Sequence, residues 1–145
     1  LDEILESINW VDIPEVEGWT MERFEVLHDP EVDPHGWMLT HKQGWSMIHS
    51  GDSGPCDELW NRIGRCKFAV VEMAVPEYVN TKHHHKPSDI VDLANRFPET
   101  KFVITHTYID SDYKILTKEV PIFPENVIHG EDNMQFELDS SGAVC

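Results

Sequence analysis

Alternating apolar and polar positions divide the chain into short strands, and two stretches break that alternation with a helical period. In "MERFEVLHD", Phe24 and Val26 alternate with charged neighbours, which predicts a strand ending at His28. "DPEVDPHG" reads as a loop, because its prolines and glycine interrupt any regular pairing. "WMLTHKQGWSMIHS" alternates again on both sides of a turn at Lys42 to Gly44, the pattern of a hairpin. "CDELWNRIG" places Leu59, Trp60 and Ile63 on one side of a helix. "FAVVEMA" is apolar enough for a buried strand, yet it carries Glu72 near its end. "KPSDIVDLANRF" has Ile90, Leu93, Ala94 and Phe97 at helical spacing, with Pro87 and Ser88 at its start. "KFVITH" is a further buried strand ending on His106, and "ENVIHGEDNMQFELD" offers two short strands around a Gly-Glu-Asp-Asn turn. Leu1 to Trp19 read as a short helix or turn followed by an irregular acidic segment. The order is strand-rich at first and then alternates β-α-β-α-β, a mixed α/β layer arrangement.

Four polar groups stand out against this pattern. His28, Asp52, Glu72 and His106 all fall at or near the carboxyl ends of predicted strands, where α/β folds gather their sites. Asp52 sits in "SGDSG", whose glycines free the backbone at a strand end. A carboxylate there is either a turn residue or a metal ligand. Two histidines and a carboxylate suit Zn²⁺ or Mn²⁺. His83, His84 and His85 lie in a loop leading into a helix, and any of the three could take part. His35, His41, His49 and His129 read as surface or supporting residues, and Trp19, Trp37, Trp45 and Trp60 as packing residues.

Composition narrows the choice. At 145 residues and 40% hydrophobic, the chain is one domain with room for a core. Its formal charge of −16 argues against a general nucleic-acid binder, which needs a basic stripe to displace counterions. No apolar run approaches the roughly 18 residues of a membrane span. Cys56, Cys66 and Cys145 have no metal-type spacing and read as reduced thiols of a cytoplasmic protein.

The same residues resemble the metallo-β-lactamase-fold phosphodiesterases of the tRNase Z-like group. "HSGDSGPCDEL" is similar to that group's Gly-Asp-Thr-Gly turn, "VVEMAVPE" to its Glu-Ala-Thr strand, and "HHKPSDIVDLA" to its His-x-Ser/Thr loop and helix. "FEVLHD" with "HGWML", "KFVITH" and "VIHGEDNMQFEL" resemble three further motifs in the right order. The resemblance implies an αββα sandwich, of which residues 1–145 would be the carboxyl-terminal half. It implies that His28 and His106 are terminal ligands of two different divalent metals, Zn²⁺ before Mn²⁺, and that Asp52 bridges both. It makes His84 the imidazole acting on the phosphate or the leaving oxygen, with Glu72 orienting it.

The group's H-x-H-x-D-H hallmark is absent, and its place would precede Leu1. The chain is therefore expected to need an amino-terminal half, from the same gene or a second chain, and to be inactive alone. A catalytically incomplete half acting as a binding or dimerisation module is the alternative outside enzymology. Only Met38 to Ser50 separate Trp37 from Gly51, so the tRNA-gripping arm of bacterial tRNase Z does not fit there. With the acidic charge, this favours a cyclic nucleotide or similar small phosphodiester over pre-tRNA. Armless relatives of that kind include the phage enzymes that oppose Pycsar immunity, and they would place this protein in a host cytoplasm. A homodimer is the default for such enzymes.

Overall fold

The computed structural model describes residues 11–107 and 122–145. The helix or turn expected at the start of the chain falls largely outside them. One six-stranded sheet organises the described residues, and its strands lie in sequence order. The strands are β1 (Trp19–Glu25), β2 (His35–His41), β3 (Ser46–His49), β4 (Phe68–Glu72), β5 (Lys101–Thr105) and β6 (Val127–His129). The first three run antiparallel to their neighbours, whereas β3 to β6 pair in parallel. Parallel strands need crossovers, and helices supply two of them: α1 (Asp57–Ile63) between β3 and β4, and α2 (Pro87–Arg96) between β4 and β5.

Both helices pack on the same face of the sheet. Ile48, Ala69, Val71, Phe102 and Ile104 meet Leu59, Ile63, Ile90, Leu93 and Ala94 in one cluster. The sheet residues alternate, as a pleated strand requires, and the helical ones follow the period expected from sequence. Each fully buried Leu or Ile contributes about 1.5–3 kcal/mol. Phe68 points the other way and meets Phe136 from the tail, ring centroids 5.3 Å apart. Trp19, Trp45 and His41 form a separate aromatic group at the end of the β2–β3 hairpin.

The start of α2 is fastened in three ways. Pro87 takes a first-turn position, Asp89 accepts the Lys86 amide at 2.9 Å, and Glu77 accepts both the amide and the hydroxyl of Ser88. At the other end the Asn126 side-chain amide donates to the carbonyls of Ala94, Phe97 and Thr100.

Three expectations need adjustment. β1 stops at Glu25 rather than His28, because Leu27 leaves the β2 ladder and pairs with Gly54 instead. The loop expected from Asp29 to Gly36 contains a 3₁₀ turn at Pro30–Val32 and yields to β2 at His35. The second tail strand does not form: Asp139 accepts from Ser141 and Ala143, closing a tight turn that leaves only an isolated Leu138–Val144 bridge.

Candidate functional site

The turn from Ser50 to Gly54 gathers the chemistry, and its small residues are the reason it can. Gly51 has φ of +60°, and a Cβ there would collide with the His35 carbonyl. A Cβ on Gly54 would collide with the Lys82 carbonyl, so this glycine lets the histidine loop lie directly against the turn. The Gly54 amide donates to the Leu27 carbonyl at 2.8 Å, which brings His28 alongside. Ser50 and Ser53 are fully buried. Ser50 Oγ accepts the Glu72 amide, and the Ser53 amide donates to Glu72 Oε1. Asp52 therefore stands on a turn tied to the ends of β1 and β4 and to the loop before α2.

Glu72 is the buried hub, about 1% exposed. Its Oε1 accepts from the amides of Ser53 at 3.2 Å and His85 at 3.1 Å, and lies 3.1 Å from His84 Nδ1. Its Oε2 accepts the Ala74 amide at 2.7 Å. Burial pushes the Glu72 carboxyl up to about 7, while the amides of Ala74, His85 and Ser53 pull it back. Three amides donate to the two oxygens, and once Glu72 is ionised it can only accept, so His84 Nδ1 then donates to it. Burial lowers the His84 pKa; the Asp52 charge opposes that and His106 reinforces it.

The imidazole of His84 forms part of a polar rim. Its ring centroid is 4.8 Å from that of His28 and 6.0 Å from that of His106. His106 Nε2 lies 3.7 Å from Asp52 Oδ2, with both side chains about half exposed. His106 follows β5 directly, and its φ of 48° turns the chain out of the strand there. His28 Nδ1 is buried without a hydrogen-bond partner among the described residues.

The donor types suit a borderline divalent cation, and the orphaned His28 nitrogen fits an atom that lacks its partner. Among the described residues, however, no group of three or more His, Cys, Asp or Glu side chains is placed to hold a metal ion. Asp52 and His106 make a two-donor pair, and His28 is in ring contact with His84. Any cation here would need donors beyond these three.

The histidine triplet separates into distinct environments. His84 meets Glu72, His83 lies on the rim with its ring 5.8 Å from His28, and His85 is fully buried beside Trp60. His49 Nδ1 accepts the Gly51 amide at 3.0 Å and so supports the turn. His35 and His41 engage Asp33 and the Trp19–Trp45 pair respectively. Ser50 and Ser53 were not singled out by sequence, and His85 was named there only as an alternative to His84. Their only signal was small or polar type beside Asp52 and His84, which turns and surfaces share.

Comparison with known proteins adds the frame. The metallo-β-lactamase-fold protein YhfI from Bacillus subtilis superposes with a TM-score of 0.67 at 14% identity, over 90% of this chain and 58% of that one. The chain has the metallo-β-lactamase fold. In sequence it is similar to Ribonuclease Z of Methanosarcina acetivorans, 27% identical over 114 residues, covering 74% of this chain and 37% of the relative. Ribonuclease Z of Pyrobaculum islandicum is 25% identical over 73 residues, covering 47% of this chain and 25% of the relative. The chain thus spans well under half the length of the curated relatives it matches. No family model matches it.

Proposed function

We propose that this chain is the carboxyl-terminal half of a two-metal phosphodiesterase acting on a cyclic nucleotide or another small phosphodiester. The observation that carries the reading is the Glu72–His84 pair set beside the Asp52–His106 pair at the carboxyl ends of parallel strands. His84 protonates the leaving oxygen or stabilises charge on the phosphate, and Glu72 fixes its orientation and favours the imidazolium that supplies the proton. His28, Asp52 and His106 would hold parts of a two-metal site completed by the amino-terminal half. Bound there, Zn²⁺ or Mn²⁺ would polarise phosphoryl oxygens, and Zn²⁺ would lower the pKa of bound water to about 7.

The hairpin supports the reading of a small substrate. β2 ends at His41 and β3 begins at Ser46, so only a tight turn occupies the place of a gripping arm. The formal charge of −16 opposes a long polyanion as well. A second reading, tRNA 3′-end processing, is favoured by the two Ribonuclease Z relatives. The deciding experiment assays the complete two-half enzyme against 3′,5′-cyclic nucleotides and pre-tRNA in parallel. Cyclic-nucleotide hydrolysis, lowered about 10²–10⁴-fold by His84→Ala, is the expected result. Efficient pre-tRNA cleavage with cyclic nucleotides untouched would transfer the proposal to the second reading. Neither activity, with His28, Asp52 and His106 binding no metal, would leave a binding module.

A further inference from the structure

Trp60 and His85 form a buried contact that the proposed chemistry does not use. The Trp60 indole Nε1 lies 3.1 Å from His85 Nε2, with the two rings nearly parallel at 16°. An indole N–H can only donate, so His85 Nε2 must present its lone pair. The His85 ring is fully buried, and burial drives its pKa down to about 4, which keeps it neutral. A neutral imidazole that accepts at Nε2 carries its proton on Nδ1. That Nδ1 is buried with no hydrogen bond of ordinary geometry among the described residues; Glu72 Oε1 lies 3.9 Å away, and the Ser53 backbone also acts on the ring in favour of its protonated form. The same oxygen takes the His85 backbone amide and the His84 ring. The opposite His85 tautomer would set a lone pair against the carboxylate and a hydrogen against the Trp60 N–H.

We infer that Trp60 and His85 are positioning residues for His84. Trp60 locks His85 in its Nδ1–H tautomer, and the N–H dipole of that ring, with the His85 amide, keeps Glu72 Oε1 aimed as the acceptor for His84 Nδ1. The inference rests on the reading of His84 as the acting imidazole. Its consequence is that neutral His84 keeps its proton on Nδ1, so the second proton, taken up when the ring becomes imidazolium, sits on Nε2, where it can be given to the phosphate or the leaving oxygen. A tryptophan needed only for packing would be indifferent to the loss of its N–H. The polar chain is not.

Long-range ¹H–¹⁵N correlation spectra of these histidine rings in the complete two-half enzyme test this without any turnover. In the wild type, His85 and His84 are both expected as Nδ1–H tautomers. Trp60→Phe keeps an aromatic ring but removes the donor, and the Nε2–H share of His84 should rise about fivefold, the worth of one ordinary hydrogen bond. His85→Leu should do the same, whereas His85→Asn, whose amide can place an N–H where Nδ1 stood, should restore the wild-type ratio. A wild-type His85 in the Nε2–H form overturns the inference at once. So does an unchanged His84 ratio in Trp60→Phe or His85→Leu. An intact tautomer chain in an enzyme with no phosphodiesterase activity would count against the proposed function and leave the positioning role standing.

Discussion

Glu72 concentrates more of the local energetics than any neighbour, because three backbone amides and a ring nitrogen converge on its two oxygens. Glu72→Ala strands those amides in a buried place. The expected cost is about 2–5 kcal/mol of unfolding free energy, read from urea melts. His85 makes a second expectation through pH. Its folded pKa, about 4, lies below the free value of 6.5, so between those limits the unfolded chain binds a proton that the folded chain refuses. The stability from this group is complete above 6.5 and is lost as pH falls toward 4. Glu72 has the opposite sign: raised from 4.5 to about 7, it favours the folded state at low pH and loses that advantage as pH rises through 7. The two slopes oppose each other where the windows overlap. Replacing His85 with Asn removes one of them. The stability difference between wild type and His85→Asn should then grow in favour of wild type by up to about 1.4 kcal/mol per pH unit as pH rises toward 6.5. A difference that stays flat with pH would show that His85 is not a buried neutral group.

At the scale of elements, the loops that carry the site are held by contacts remote from it. The Asn126 side-chain amide donates to the carbonyls of Ala94, Phe97 and Thr100, joining the end of α2 to the approaches of β5 and β6. These carbonyls include orphan acceptors of the last helical turn. Asn126→Leu should therefore cost about 1–3 kcal/mol while leaving the site chemistry in place, a combination that denaturation melts and the His84 tautomer would separate. Arg62 on α1 similarly binds Glu58 on its own helix and Glu22 on β1, and stacks over Phe24. The elements were legible in the chain because buried faces of strands and helices leave periods of two and of three to four. The end of β1 was not, because the period carries through Val26 while the actual partner changes at Leu27 from β2 to Gly54.

On the scale of the whole molecule, the sheet is covered by helices on the face where Ile48, Val71 and Ile104 lie. Asp52 and His106 remain half exposed at its edge. The proposal that metals are shared with an amino-terminal half has a direct consequence. The chain alone should bind Zn²⁺ weakly, and chelation should leave its melting temperature within about 2 °C, since a site of few donors adds little to folding. In the complete enzyme, Asp52→Ala should lose both metal and turnover, whereas His84→Ala should lose turnover and keep metal. Metal analysis beside rate measurement distinguishes them, and equal metal loss in the two variants would remove His84 from its assigned role. Among the described residues no helix is long and apolar enough to cross a membrane.

The sequence by itself determined the order of strands and helices, the faces they bury, and the residue types available for chemistry, because burial and backbone period act locally along the chain. It also marked His28, Asp52, Glu72 and His106, since ionisable groups at the ends of apolar strands stand out in one dimension, while His84 was distinguished from its neighbours only by the family resemblance. Only the tertiary structure decided which histidine of the triplet meets Glu72. Adjacent side chains in an extended loop diverge, so His83 reached the rim, His84 the carboxylate and His85 the core. It likewise decided why the turn around Asp52 needs Gly54: the Lys82 backbone occupies the space of a side chain there. That contact joins residues distant in sequence, and no local pattern records it.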